Sequence, residues 1–237
     1  MPENDEFSES GAPIYRHQPR RRDFELAGGD EQTIERVGQH IAEHIGKASF
    51  VFHELISDLV HVDVHMVDPT PERNYVTLVT SGMSDRPMTV PAGAEAFRFA
   101  ELLICLPPDW PLAQEAFQDE ANYWPIRWLK MLARLPHEYN TWLGELHTVP
   151  NGNPALPFAD NTELCCMMVA RPALLPPEAW QLVIDAEKAV QFYCLVPLYR
   201  EEMELKLRDG ADPLLELLDE HGVTELLDVG RANVCAG

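Results

Sequence analysis

The chain has 237 residues, 46% of them hydrophobic, enough for one large core or two small ones and too apolar for wholesale disorder. Against 18 Lys and Arg it carries 39 Asp and Glu, a net charge of −21 that argues against nucleic acid and anionic membranes as partners and favours a basic protein. Cys105, Cys165, Cys166, Cys194 and Cys235 are odd in number and form no CxxC pair, a reduced pattern that places the chain in the cytoplasm. The start, MPENDEFSES, is acidic and is no signal peptide, and no apolar run approaches the roughly 18 residues that span a bilayer.

Residues 1–29 show little hydrophobic periodicity, carry Arg20, Arg21 and Arg22, and read as an N-terminal arm, flexible or docked. The remainder, 30–237, reads as one domain. Its first helix starts at Asp30, a capping residue, places Ile34, Val37, Ile41 and Ile45 on one side, and stops at Gly46. Within it HIAEH, residues 40–44, matches the H-x-x-E-H zinc pattern, but the helix needs Ile41 and Ile45 for its apolar line and turns His40 and Glu43 outward.

Strands follow. SFVFHELI is rich in Phe, Val and Ile, and Ser57-Asp58 reads as a turn. LVHVDVHMV alternates, with Val60, Val62, Val64 and Met66 on one face and His61, Asp63 and His65 on the other. NYVTLVT and FRFAELLICL are further strands around the glycine turn SGMSD. A helix opens at Tyr123-Trp124-Pro125, with Pro125 in its first turn, and Pro136 closes or restarts it. Residues 147–162 form a long loop, a length that often carries function. ELCCMMVA and AVQFYCLVPL are buried strands, Trp180–Ile184 is a short third, and YREEMELKLRDG and DPLLELLDEHG are two helices.

The chemistry is sparse. His61, Asp63 and His65 are metal-type ligands, with His53 or Glu54 as candidates to join them in a metal-dependent hydrolase or oxygenase. A straight i, i+2, i+4 row covers about 13 Å, however, too long for all three to meet one ion without strong curvature, so a polar strand face is the simpler reading. G-x-S-x-G, Walker and G-x-G-x-x-G motifs are absent, leaving a nucleophile and a nucleotide cofactor without support. Trp124 and Trp128 sit at helical spacing suited to core packing, while Trp and Tyr further on, at Tyr139 and Trp142, are of types enriched at interfaces.

Taken in order, HELISDLVHVDVH, LVTSGMSD, FAELLICLPPDWP, YWPIRWLKMLARLP, TWLGELHTVPNG and PLYREEMELKL resemble the suppressor of fused family, above all its bacterial members, over about residues 34–206. The resemblance implies an α+β domain with a central, largely antiparallel or mixed sheet flanked by helices, like the family's N-terminal lobe. It also implies protein binding without catalysis or cofactor. The bacterial relatives imply an immunity protein that blocks a toxin of a polymorphic toxin system, which an acidic surface suits if the toxin is basic. The family holds its partner through the acid of a G-D-H segment. Gly144-Glu145-Leu146-His147 matches it with Glu for Asp and one inserted residue, so Glu145 and His147 become interface candidates together with Trp142, Asn151 and, from the SGMSD segment, Asp85.

Overall fold

The computed structural model describes residues 6–18, 23–54 and 57–236; Arg20, Arg21 and Arg22, and Leu55 and Ile56 at the end of the strand expected from Ser49, lie outside them. Eight strands form one mixed sheet: β1 (Ala48–Phe52), β2 (Asp63–Val67), β3 (Val76–Ser81), β4 (Phe99–Leu106), β5 (Thr148–Pro150), β6 (Cys166–Ala170), β7 (Gln181–Val183) and β8 (Ala189–Leu198). Their spatial order is β1-β2-β3-β4-β8-β6-β5, with β7 paired to the start of β8. Every pairing is antiparallel except β4 with β8, at the centre. Strands covered on both faces read as unbroken apolar runs, and all of FAELLICL is buried.

Among the described residues four α-helices cover the sheet: α1 (Glu31–His44), α2 (Glu120–Tyr139), α3 (Arg200–Asp209) and α4 (Ala211–Glu220). One core joins Val62, Val64, Leu78, Leu102, Ile104 and Leu195 to Trp124, Trp128 and Leu132 of α2. The other joins Val67, Leu103, Phe192 and Val196 to Val37 and Ile41 of α1 and Leu214 and Leu218 of α4. Trp124 lies parallel to Phe158 at 4.9 Å and Trp128 meets the same ring edge-on at 4.7 Å, so the residues expected in the core are there.

Two helices depart from expectation. Asp30 caps α1 as read, accepting from the Gln32 amide, but His40 is buried rather than outward-facing. The helix leans on β8, so His40 stacks between His44 and Phe192 and bonds the Ala179 carbonyl at 3.2 Å. In α2 the cap is Asp119, which accepts from the Ala121 amide, so the helix begins at Glu120 and Pro125 falls in its second turn. Proline lacks the N–H that Ala121 O would receive, and Asn161 Nδ2 donates to that carbonyl instead at 3.3 Å. Pro136 does not end the helix either; it runs to Tyr139 and closes at Asn140 in a left-handed conformation, φ 51°.

The centre of the sheet holds a carboxyl group. Glu101 on β4 has no exposed surface, and its carboxylate accepts from Thr80 Oγ1 (2.6 Å), the Gly82 amide (2.9 Å), the Ser84 amide (3.0 Å) and Ser84 Oγ (2.6 Å). Burial pushes its carboxyl up while these four donors oppose that. Gly82 takes φ 103°, and a Cβ there would stand 1.7 Å from the His61 carbonyl oxygen, so only glycine fits the turn. Asp85, three residues on, accepts from the Asp30 amide at 3.0 Å, and burial first of all raises its carboxyl to about 7.

The arm is docked where it is described. Residues 6–14 fold back on themselves, Ser10 donates its amide to Leu207 O on α3 (3.1 Å), and His17 stacks on Tyr139. Further along, Leu26 pairs with Asp58 and Glu25 bridges to Arg86 at 2.5 Å.

Two stability predictions follow from the buried acids. Glu101→Ala strands four donors in the core and lowers unfolding stability by about 3–5 kcal/mol, while Glu101→Gln, which keeps the shape, costs about 1–3 kcal/mol; urea midpoints should show that order. For Asp85 the folded carboxyl holds its proton longer than the unfolded one. Its penalty is therefore absent below about pH 4, grows as pH rises towards about 7 and is constant above. Asp85→Asn should gain stability over the parent across that window, measured by urea unfolding at both ends.

Candidate protein-binding surface

The loop from Asn140 to His147 carries three of the five interface candidates. It leaves α2 through Asn140 and is pinned to the segment after the glycine turn: Thr89 donates its amide to Thr141 O at 3.0 Å, and the Leu143 amide points at Met88 Sδ at 3.4 Å. The Trp142 ring meets His147 edge-on at 4.4 Å. It also lies flat on Gly144, where a Cβ would come within 2.5 Å of the ring. Leu146 then takes φ 66° and donates to Val169 O at 2.7 Å, which starts β5 beside β6.

The three side chains differ in character. Glu145 is exposed and receives Arg171 Nε at 2.8 Å, while Arg171 in turn stands 5.7 Å over the Trp180 ring. His147 is pushed down to about 4, by burial first, with the Lys206 ammonium adding and a hydrogen bond to the Trp142 backbone opposing. It is therefore neutral across the physiological range. Lys206 reaches from α3 to Thr148 Oγ1 at 3.5 Å, at the outer edge of the sheet. Strand β5 is the last in the order, so its outer side has no strand neighbour in the sheet.

The other two candidates lie apart. Asn151 sits beyond the far end of β5, where its amide holds Leu156 O and Pro157 O at 2.9 and 2.8 Å and shapes the loop whose exposed tip is Leu156. Asp85 is turned to Asp30 at the start of α1. The structure thus assembles Trp142, Glu145 and His147, and adds Arg171 and Lys206, which no sequence motif singled out. Only their positions, one residue past β6 and midway along α3, could have suggested them.

The histidine-rich strand has a different organisation. His53 Nδ1 reaches Asp63 Oδ2 at 2.8 Å, and His61 Nε2 reaches Asp63 Oδ1 at 3.1 Å, which also takes the Glu54 amide at 3.0 Å. His65 bonds Ser81 Oγ at 2.9 Å, beneath Gly38 of α1, with no hydrogen bond to Asp63. Burial pushes His65 down. Among the described residues no three His, Cys, Asp or Glu side chains converge to hold a metal ion. Ser57, His61 and Asp63 are linked like a nucleophile relay, but the buried Ser57 hydroxyl donates to Glu54 Oε2 at 2.7 Å and so can only accept from His61 Nδ1. That is the reverse of a nucleophile surrendering its proton to an imidazole. Glu54 is closed off in turn by Arg134 of α2.

Among the described residues no helix is long and apolar enough to cross a membrane. A search of curated proteins found no match. Solved structures do match. A suppressor of fused homologue from Neisseria gonorrhoeae is 18% identical, with a TM-score of 0.64 over 86% of this chain and 98% of that one. The Sufu-Fu complex contains a chain 14% identical, TM-score 0.57, covering 87% of this chain and 92% of that one. Suppressor of fused from Drosophila is 14% identical, also at 0.57, over 85% of this chain but 50% of its own length. These likenesses establish the α+β fold with its mixed sheet. The profile of the suppressor of fused protein family (SUFU) matches residues 58–232, most of the chain, and the chain belongs to that family.

Proposed function

We propose that this chain binds a basic protein partner stoichiometrically through the Asn140–His147 loop and the outer edge of β5, and blocks it by covering its functional surface. The partner we favour is a basic toxin domain, which makes the chain an immunity protein. Family and fold support the coarser statement, a protein-interaction domain without catalysis. The observation that carries the finer one is the grouping of Trp142, Glu145 and His147 on a rigid loop beside an unpaired strand edge, in a chain of net charge −21. A relative has been solved in a complex, Sufu-Fu, and partner binding by that relative is consistent with the same use of the fold here.

Each part has a physical role. An edge strand offers main-chain donors and acceptors, an aromatic ring offers apolar area at little entropic cost, and an exposed carboxylate selects a cationic partner. Long-range attraction by the acidic surface sets the encounter rate, and the ring sets how long the complex lasts.

Affinity capture of tagged protein from the lysate of its own source, at low and moderate salt, should recover a basic protein near one to one, with less at moderate salt. Glu145→Lys should weaken that complex about tenfold or more and flatten its salt dependence. The variant should stay folded, because an exposed ion pair such as Glu145–Arg171 is worth at most about 1 kcal/mol. Unchanged affinity removes Glu145 from the interface, and recovery of no basic protein from cells that express one counts against the whole reading.

A further inference from the structure

We infer that Glu145 and the face of Trp180 form a guanidinium site, filled in the free chain by Arg171 and taken over by an arginine of the partner. The inference rests on the binding surface proposed above and names the side chain that surface recognises.

The chain shows the fit with a residue of its own. Arg171 Nε donates to Glu145 Oε2 at 2.8 Å, and the guanidinium carbon stands 5.7 Å from the centre of the Trp180 ring. A carboxylate and an aromatic face are the two groups a guanidinium matches best. The indole is fixed in place, since its N–H donates to Leu175 O at 3.3 Å from the short helical turn Pro177–Trp180. Tyr193 of β8 adds a polar group beside the pair. It is buried, and its hydroxyl has no hydrogen-bond partner among the described residues. Both charges reach it: burial first, and then Glu145, raise the phenol to about 12, while Arg171 opposes them. The hydroxyl therefore keeps its proton at physiological pH, and its oxygen can still accept an N–H.

Arg171 fills this site incompletely. Only its Nε reaches the carboxylate, so Glu145 Oε1 and the two terminal nitrogens of Arg171 make no hydrogen bond among the described residues. The pair lacks the two-point contact that makes arginine–carboxylate bonding strong. It is also open to water, with 54% of the Arg171 side chain and 40% of Glu145 exposed, and breaking such a pair costs little. Nor does the fold depend on it. The Leu146 amide donates to Val169 O at 2.7 Å and the Val169 amide to His147 O at 2.8 Å, which already fixes the loop to β6 next to Glu145. A one-point, solvent-open and structurally spare ion pair is ready for exchange. A partner's guanidinium that meets Glu145 with two N–H groups replaces one contact by two, and Arg171 regains its hydration. A lysine ammonium has no such planar fork, which selects arginine.

The test uses N-acetyl-arginine N-methylamide, titrated into full-length 15N-labelled protein. The Trp180 indole N–H, identified by its loss in Trp180→Phe, is the reporter. In the parent the probe competes with an intramolecular arginine; in Arg171→Ala it does not, so the signal should shift at about tenfold lower probe concentration. The lysine analogue should bind Arg171→Ala severalfold more weakly, and adding Glu145→Gln should abolish the shift. Unchanged amide signals from α1 and β2 certify that the variants are folded. A probe that binds Arg171→Ala no better than the parent overturns the inference, as does binding that survives Glu145→Gln. With a captured basic partner, Arg171→Ala should bind severalfold tighter than the parent. A partner weakened by Glu145→Lys yet indifferent to Arg171→Ala overturns the exchange and leaves the binding surface standing.

Discussion

A buried carboxylate organises this molecule. Glu101 is in the middle of a strand with no exposed residue, and ionised it would be too costly there without its four donors. Those donors come from Thr80 at the end of β3 and from the Gly82–Ser84 turn, so satisfying one carboxyl group fixes how β3 leaves the sheet. The turn then serves as a reference point for both covering layers. Met83 O receives His137 Nε2 from α2 at 2.9 Å, and Asp85 receives the amide of Asp30 at the start of α1 at 3.0 Å. Met88 and Thr89, just beyond, hold the loop that presents Trp142. The candidate surface is thus tied, in a few steps of hydrogen bonding, to a carboxyl group in the core.

This arrangement explains what could be read from the residues alone. The strands were legible because burial on both faces demands uninterrupted apolar runs, and β4 and β8 have them. The cap at Asp30 was legible because it is local chemistry. His40 was not, since its burial depends on a carbonyl at Ala179, far along the chain, and on the ring of Phe192. The start of α2 was missed for a related reason. Pro125 looks like a first-turn residue only until Asn161 supplies the donor that proline lacks.

The candidate site was legible only in part. Trp142, Glu145 and His147 were close in sequence and remain close in space. Asp85 came from a segment whose local pattern is shared with the family, yet its carboxyl is spent on Asp30 and on the interior. Arg171 and Lys206 lie on other elements, and nothing in a linear reading ties them to Glu145 or to Thr148. The histidine-rich strand shows the converse. Residue types suited to a metal were plain, but a strand sends successive same-face residues along a line, and hydrogen bonds to Asp63, Ser57 and Ser81 engage both nitrogens of His61 and one each of His53 and His65.

A loop held by Met88, Thr89, Gly144 and Val169 has little freedom left to lose when a partner arrives, so more of the contact energy survives as affinity. Trp142 shares that rigidity: half-buried, it packs against the core that holds Trp124 and Leu132 of α2. Its ring closes on Gly144, where no Cβ would fit, and the ring nitrogen is buried without a hydrogen-bond partner.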